Sequence, residues 1–330
     1  MRKEKRSLLA QAAVCAALIL LTGCAGQKER LEKEEAYRTI GIQAMEAGDY
    51  EKAMEAFNNA LTQVKGLGAN EMDICYYKAA AQFAAGSYQD AIETYNALLE
   101  SDDQNSDAYF LRGCVYLKSN ESEKALSDYE QAVRYAKDDA IYLVIYKSLD
   151  GAGYEKEADA YLEEALEKKV GRKAENYTVR GRIYLLKEEY PKAAEALAKA
   201  VEKGDAQANL FLAQAYEGMG DEKSAQSCID AYIKEHPDSS VACNQSGIRE
   251  MEAGNYKEAI AQFTKGLSVE EVTNEQELRS NLIAAYEYSG DFTKAKELMQ
   301  AYVEDYPQDL DAQREYWFLG KNRDEEKQKK

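Results

Sequence analysis

Residues 45–57, MEAGDYEKAMEAF, come back at 251–263 as MEAGNYKEAIAQF, 206 residues further on. Between the two, the Gly-Asp-Tyr core is rewritten as Gly86-Ser87-Tyr88, Gly153-Tyr154 and Gly220-Asp221, and it follows again as Gly290-Asp291-Phe292. Asn120 and Glu188 stand at the two places where the glycine is missing. Consecutive copies lie 32 to 38 residues apart, so 206 residues make six steps of about 34. A period of this length belongs to a repeat array, in which no unit buries its apolar face alone and stacking on the next unit completes the core. With only 3 Pro in 330 residues, 45% hydrophobic and 31% charged, each unit is expected to be helical.

A second regularity is in register with the first. Ala53, Ala91, Ala125, Ala158, Ala193, Ala225, Ala259 and Ala295 stand shortly after each turn, eight times in eight. Before the turn another small residue recurs as Gly41, Ala79, Gly113, Gly181, Ala213 and Gly247, with Tyr146 and Ile283 in the two remaining copies. Beyond the alanine comes a bulky residue: Phe57, Tyr95, Tyr129 and Phe263, with Leu162, Leu197, Ile229 and Met299 elsewhere. Small residues let two helices close on each other, and bulky ones fill the space beside them. The glycine supplies the positive φ that ends a first helix. This arrangement resembles the tetratricopeptide repeat. The resemblance implies an all-α, right-handed α-solenoid of about eight helix–turn–helix repeats over 34–309, with repeats starting near 34, 72, 106, 139, 174, 206, 240 and 276. A capping helix is expected over 310–320, carrying Trp317 and Phe318, before a charged, disordered tail at 321–330.

The N-terminus has a different logic. MRKEKR is basic, and Ser7 to Thr22 is an apolar run of 16 residues, shorter than the ~20 a spanning helix needs. It ends in Leu21-Thr22-Gly23-Cys24, which resembles the lipobox of bacterial lipoproteins; Cys15 has no such surroundings. The resemblance implies a signal peptide over 1–23, cleavage before Cys24, and lipidation and acylation of Cys24. It places the protein outside the cytoplasm, on the outer face of the cytoplasmic membrane or on the outer membrane where there is one. Residues 24–33 would then be a tether of at most ~30 Å.

Little in the chain suggests catalysis. There is one histidine, His236, next to Pro237, and no pair of cysteines spaced as a metal site needs. Asp102-Asp103-Gln104-Asn105-Ser106-Asp107 begins like a calcium loop, but Ala108 and Cys114 stand where its glycine and closing glutamate belong. Cys228 and Cys243 fall in adjacent helices, where an exported protein has the chance to oxidise them. The chain is read as no enzyme, with no cofactor and no metal. The formal charge of −18 argues against nucleic acid as a partner.

Projecting helical spacing onto the concave face of such a solenoid gives Tyr76, Phe83, Phe110 and Leu117, then Lys147 and Arg182, then Gln214, Glu217, Ile248 and Glu287. That is an expected groove, aromatic in its first half and polar to acidic later. The same spacing also fits Tyr76 and Phe83 packed on neighbouring helices. The face lacks the several Lys and Asn of the carboxylate clamp that chaperone-binding tetratricopeptide domains use, and basic or aromatic segments suit it better. The expected function is a membrane-anchored, extracytoplasmic scaffold for envelope proteins or peptide segments. The alternative is a lipoprotein that captures peptides or glycans in the groove.

Overall fold

The computed structural model describes residues 27–309, apart from 64, 65 and 67, together with 312–316. Among these, every regular element is a helix. Helices α1 (27–46) and α2 (Tyr50–Leu61) form the first repeat, α3 (Ala69–Ala84) and α4 (Tyr88–Ser101) the second. Next come α5 (Ser106–Lys118) with α6 (Ser122–Tyr135), and α7 (Ala140–Asp150) with α8 (Glu155–Glu167). These four pairs lie in a compact N-terminal half that ends at Lys169. The C-terminal half begins at Val170. It contains α9 (Ala174–Leu186) and α10 (Tyr190–Glu202), α11 (Ala208–Gly218) and α12 (Glu222–Glu235), α13 (Ser240–Glu252) and α14 (Tyr256–Leu267), and α15 (Glu275–Tyr288) and α16 (Phe292–Asp305). A short helix, α17 (312–316), follows and contributes Ala312 and Tyr316 to the cluster around Ile283, Met299 and Tyr302.

The repeated phrase is the joint inside each pair. At the end of α1 the Gly48 N–H donates to Met45 O (2.9 Å) and the Asp49 N–H to Ala44 O (2.8 Å). Gly254 and Asn255 repeat the two bonds at 3.0 and 2.8 Å. Gly48 takes φ +73°, and the two copies without glycine adopt the same left-handed turn, Asn120 at φ 61° and Glu188 at φ 55°. Asp49, Asp221 and Asp291 then cap the second helix, each accepting a backbone N–H three residues on.

The alanines after the turn are buried in all eight repeats, none more than 3% exposed. The small residue before the turn is a seat for the bulky residue of its own repeat. A Cβ added at Gly41 would lie 2.4 Å from the Phe57 ring, at Gly113 2.5 Å from Tyr129, at Gly181 2.4 Å from Leu197, and at Gly247 2.4 Å from Phe263. The bulky residues therefore lock one repeat shut as well as reaching the next, as Phe57 does by stacking on Tyr77 at 5.9 Å. Burying each such side chain stabilises by about 1.5–3 kcal/mol.

Arg112 ties two repeats together in the N-terminal half. Its Nε and Nη2 donate to the two oxygens of Asp128 (2.8 and 2.7 Å), and its Nη1 donates to Asn96 Oδ1 (2.6 Å). Tyr109 and Tyr116 lie 5.5 and 5.8 Å from the guanidinium. Asp128 is 5% exposed, so an unpaired charge there would be costly, and the bidentate fork compensates for it.

One expectation changes. The first helix does not begin at 34: residues 27–33, read as tether, are already helical. Pairs at four-residue spacing, Lys28–Glu32 (3.8 Å) and Lys33–Glu29 (2.8 Å), favour this start. At ~1.5 Å per residue, seven helical residues span about 10 Å rather than the extended reach. The segment 102–107 is a capped helix start: Asn105 Oδ1 accepts the Ala108 N–H at 3.0 Å and opens α5. The signal peptide, Cys15, Cys24, most of the capping segment including Trp317 and Phe318, and the tail 321–330 lie outside the described residues.

Candidate functional site

The residues expected to line a groove lie on first helices, and their surroundings differ between the two halves. In the N-terminal half, Tyr76 and Phe83 stand seven residues apart on α3, and Phe110 and Leu117 do the same on α5. Two helical turns bring each pair onto one stripe. All four are half-buried. The Tyr76 hydroxyl donates to Asn105 Oδ1 at 2.8 Å, and its ring lies 6.3 Å from Tyr95. Burial pushes its phenol up to about 12, the bond to Asn105 partly opposing this, so the hydroxyl stays protonated. The Phe83 ring tilts against Tyr88 at 5.6 Å, and Phe110 against Tyr129 at 5.8 Å. The aromatics are thus held in place by their neighbours, each with part of its surface still exposed. Lys147, one repeat further, is exposed, with exposed Val144 one turn before it.

In the C-terminal half the face is polar. Arg182 is exposed, with its guanidinium 4.9 Å from the Phe211 ring. Phe211 sits one turn before Gln214, and both Gln214 and Glu217 are exposed. The stacked Arg182–Phe211 pair had no counterpart in the sequence reading, because its members come from different repeats. Ile248 is half-buried against the cluster around Phe263. Glu287 points inward: its Oε1 is buried and has no hydrogen-bond partner among the described residues. Burial first, and the neighbouring Glu315 second, raise its carboxyl above the ordinary range.

Among the described residues no three His, Cys, Asp or Glu side chains gather closely enough to hold a metal ion. Cys75, Cys114, Cys228 and Cys243 are all free thiols, with Cys228 and Cys243 both buried. Exposed His236 ends α12 with its ring 4.7 Å from Tyr232. Such a face offers aromatic edges, amides and scattered charges, which suit recognition of extended segments.

Sequence models of the tetratricopeptide repeat match residues 38–107, 106–139, 208–239 and 281–309. The chain carries tetratricopeptide repeats. Solved structures of such repeats resemble it at low identity. A tetratricopeptide repeat protein from Parabacteroides merdae is 16% identical, with 77% of this chain covering 99% of that one at a TM-score of 0.43. The APC/C hetero-tetramer Cut9–Hcn1 is also 16% identical; 83% of this chain covers 53% of that one, at a TM-score of 0.48. The TPR2AB domain of yeast Sti1, in complex with pHSP90, is 20% identical over 76% of this chain and 98% of that one, at 0.31. No curated protein sequence matches the chain. The tetratricopeptide repeats mark it as a protein-interaction scaffold.

Proposed function

We propose that the chain is an exported lipoprotein, held at the membrane through Cys24, whose tetratricopeptide repeats dock other proteins of the cell envelope along the first-helix face. The observation that carries this reading is the run MRKEKR, an apolar stretch and Leu21-Thr22-Gly23-Cys24, set directly ahead of the repeats. Two acyl chains on a diacylglyceryl cysteine hold stably, since each buried CH₂ contributes about 0.8 kcal/mol. A polypeptide of charge −18 gains nothing from an anionic bilayer, which leaves the holding to the lipid.

The reading predicts that the mature N-terminus is Cys24 with a lipid mass, and that Cys24→Ser releases the protein from membranes. Mass spectrometry of the membrane fraction decides it: an unmodified Cys24, or an intact residue 1–23 segment, removes the anchor. Separately, Tyr76→Ala with Phe110→Ala is expected to lose partners in a pull-down from solubilised membranes. An identical partner set removes the groove while leaving the anchor standing.

A further inference from the structure

A protease takes hold of chain that is exposed, extended and free of backbone hydrogen bonds, with a suitable side chain beside the bond to be cut. The connection from α8 to α9 has these properties. Residues 168–173 read KKVGRK. They belong to no helix, and all four basic side chains are exposed. The backbone is extended at both ends, with ψ 146° at Lys168 and 155° at Lys173. Among the described residues, the N–H groups of 169–173 make no hydrogen bond to other backbone groups.

The four cations are not equivalent. Lys168 is held, with its Nζ 3.1 Å from Asp139 Oδ1 and 4.9 Å from the centre of the Tyr142 ring. Lys173 is the N-cap of α9, and Arg172 stands one residue before it. A bond after either runs into α9 within two residues, whereas a protease holds its substrate extended on both sides of the bond. Lys169 differs from these three. It makes no ion pair among the described residues, and Val170, Gly171 and Arg172 follow it before the helix cap.

The other connections between helix pairs are less suited. Residues 102–105, 236–239 and 268–274 contain no Lys or Arg. Lys137 is followed by Asp138, whose carboxylate competes for the lysine with the acidic pocket of a tryptic protease. The Lys203 N–H is bonded to Lys199 O (3.2 Å) and Ala200 O (3.1 Å), and its Nζ lies 5.4 Å from the Tyr177 ring. Lys65, in the connection from α2 to α3, lies outside the described residues.

We propose that the Lys169–Val170 bond is a processing site, cut by proteases of tryptic specificity, and that the helix pairs on both sides outlast the cut. Water adds across the peptide bond: Lys169 keeps the carbonyl carbon as a carboxylate, and Val170 gains a free amine. The bond lies at the boundary of the two compact halves, so hydrolysis interrupts no helix. Each product keeps four pairs, more than the three that a repeat array needs. With the Cys24 anchor proposed above, on which this consequence alone rests, only residues before Val170 stay covalently attached to the membrane.

The test digests the full-length chain with a low ratio of trypsin and follows the products by intact-mass spectrometry, which does not depend on the anchor. Among cuts within residues 27–316, the first is expected to leave one product ending at Lys169 and another beginning at Val170. Lys169→Ala is expected to slow cutting at this connection at least ~10-fold, and Lys137→Ala to leave it within about two-fold of wild type. Circular dichroism is expected to keep roughly nine-tenths of the helical signal once the first cut is complete. A first cut elsewhere in 27–316, at Lys65–Gly66 or Lys203–Gly204 for example, overturns the site. So does an unchanged rate in Lys169→Ala. Loss of the helical signal in step with the first cut overturns the persistence of the two halves.

Discussion

The two halves follow the same repeat and fill it differently. In the N-terminal half aromatic rings meet one another: Tyr129 lies between Phe110 (5.8 Å) and Tyr161 (6.5 Å), and Tyr161 also meets Tyr142 (6.4 Å). Tyr95, Tyr129, Tyr142 and Tyr161 are all buried there. The core at the start of the C-terminal half is alanine packed around Leu197 and Leu212, with Ala193, Ala200, Ala208 and Ala215 completely buried. Both halves keep the alanine after the turn. The repeat therefore fixes where backbones must approach and leaves the filler free, provided that volume is conserved.

The largest expected effect breaks the Arg112 tie of the aromatic half. Arg112→Ala leaves Asp128 buried and unpaired and is expected to destabilise by about 3–5 kcal/mol, read as a drop in the urea midpoint of the helical signal. A loss below ~1 kcal/mol means that Asp128 finds water or another donor. A smaller effect sharpens the comparison of fillers. Gly113→Ala drives a methyl into Tyr129, whose hydroxyl is 2.8 Å from Ser148 Oγ and whose ring is bracketed on two sides. It is expected to lose about 1–3 kcal/mol. Gly181→Ala meets Leu197 first, an aliphatic side chain with more than one rotamer, and the ~1 kcal/mol that alanine adds to a helix is expected to offset part of the crowding. Equal losses in the two variants would mean that ring and aliphatic fillers are equally rigid.

The smallest effect concerns buried carboxylates. Both Asp128 oxygens are partnered, whereas Glu287 has a buried oxygen with no partner among the described residues. Burial raises the Glu287 carboxyl above its unfolded value of about 4.3, so the folded protein favours the protonated acid. The associated stability is fully present below pH ~4.3 and is lost as pH rises through the higher folded value. Glu287→Gln is therefore expected to gain roughly 1 kcal/mol at pH 7, a rise of ~2 °C in Tm, and to gain nothing below pH ~4. Melting curves at the two pH values check it; a loss at pH 7 would show that the charge is partnered in solution.

What could be read from the chain was whatever the backbone demands at a fixed spacing. Ala53 and its seven counterparts are visible because no larger side chain fits there. Gly48 and its stand-ins Asn120 and Glu188 are visible because each turn needs the same positive φ. Less legible was anything made by two elements at once. Arg112 reaches a partner 16 residues to either side, Asn96 and Asp128, and only knowledge of the hairpin brings that spacing together. Lys168 and Lys169 look alike until the start of α7 places Asp139 and Tyr142 beside the first of them. The start of α1 was set too late because Lys28, Glu29, Glu32 and Lys33 are polar, and their helical support lies in pairing rather than in an apolar stripe.

The glycine seat has one more consequence. Gly41 and Phe57, Gly113 and Tyr129, and Gly247 and Phe263 each belong to a single hairpin. A stretch of about 34 residues thus contains both the socket and the part that fits it. Copying that stretch elsewhere in the gene delivers a hairpin that already closes on itself, and only its two outer surfaces need adjusting to new neighbours. A chain made this way can be lengthened or shortened by whole cassettes, and sequence can drift within each one as long as socket and plug change together.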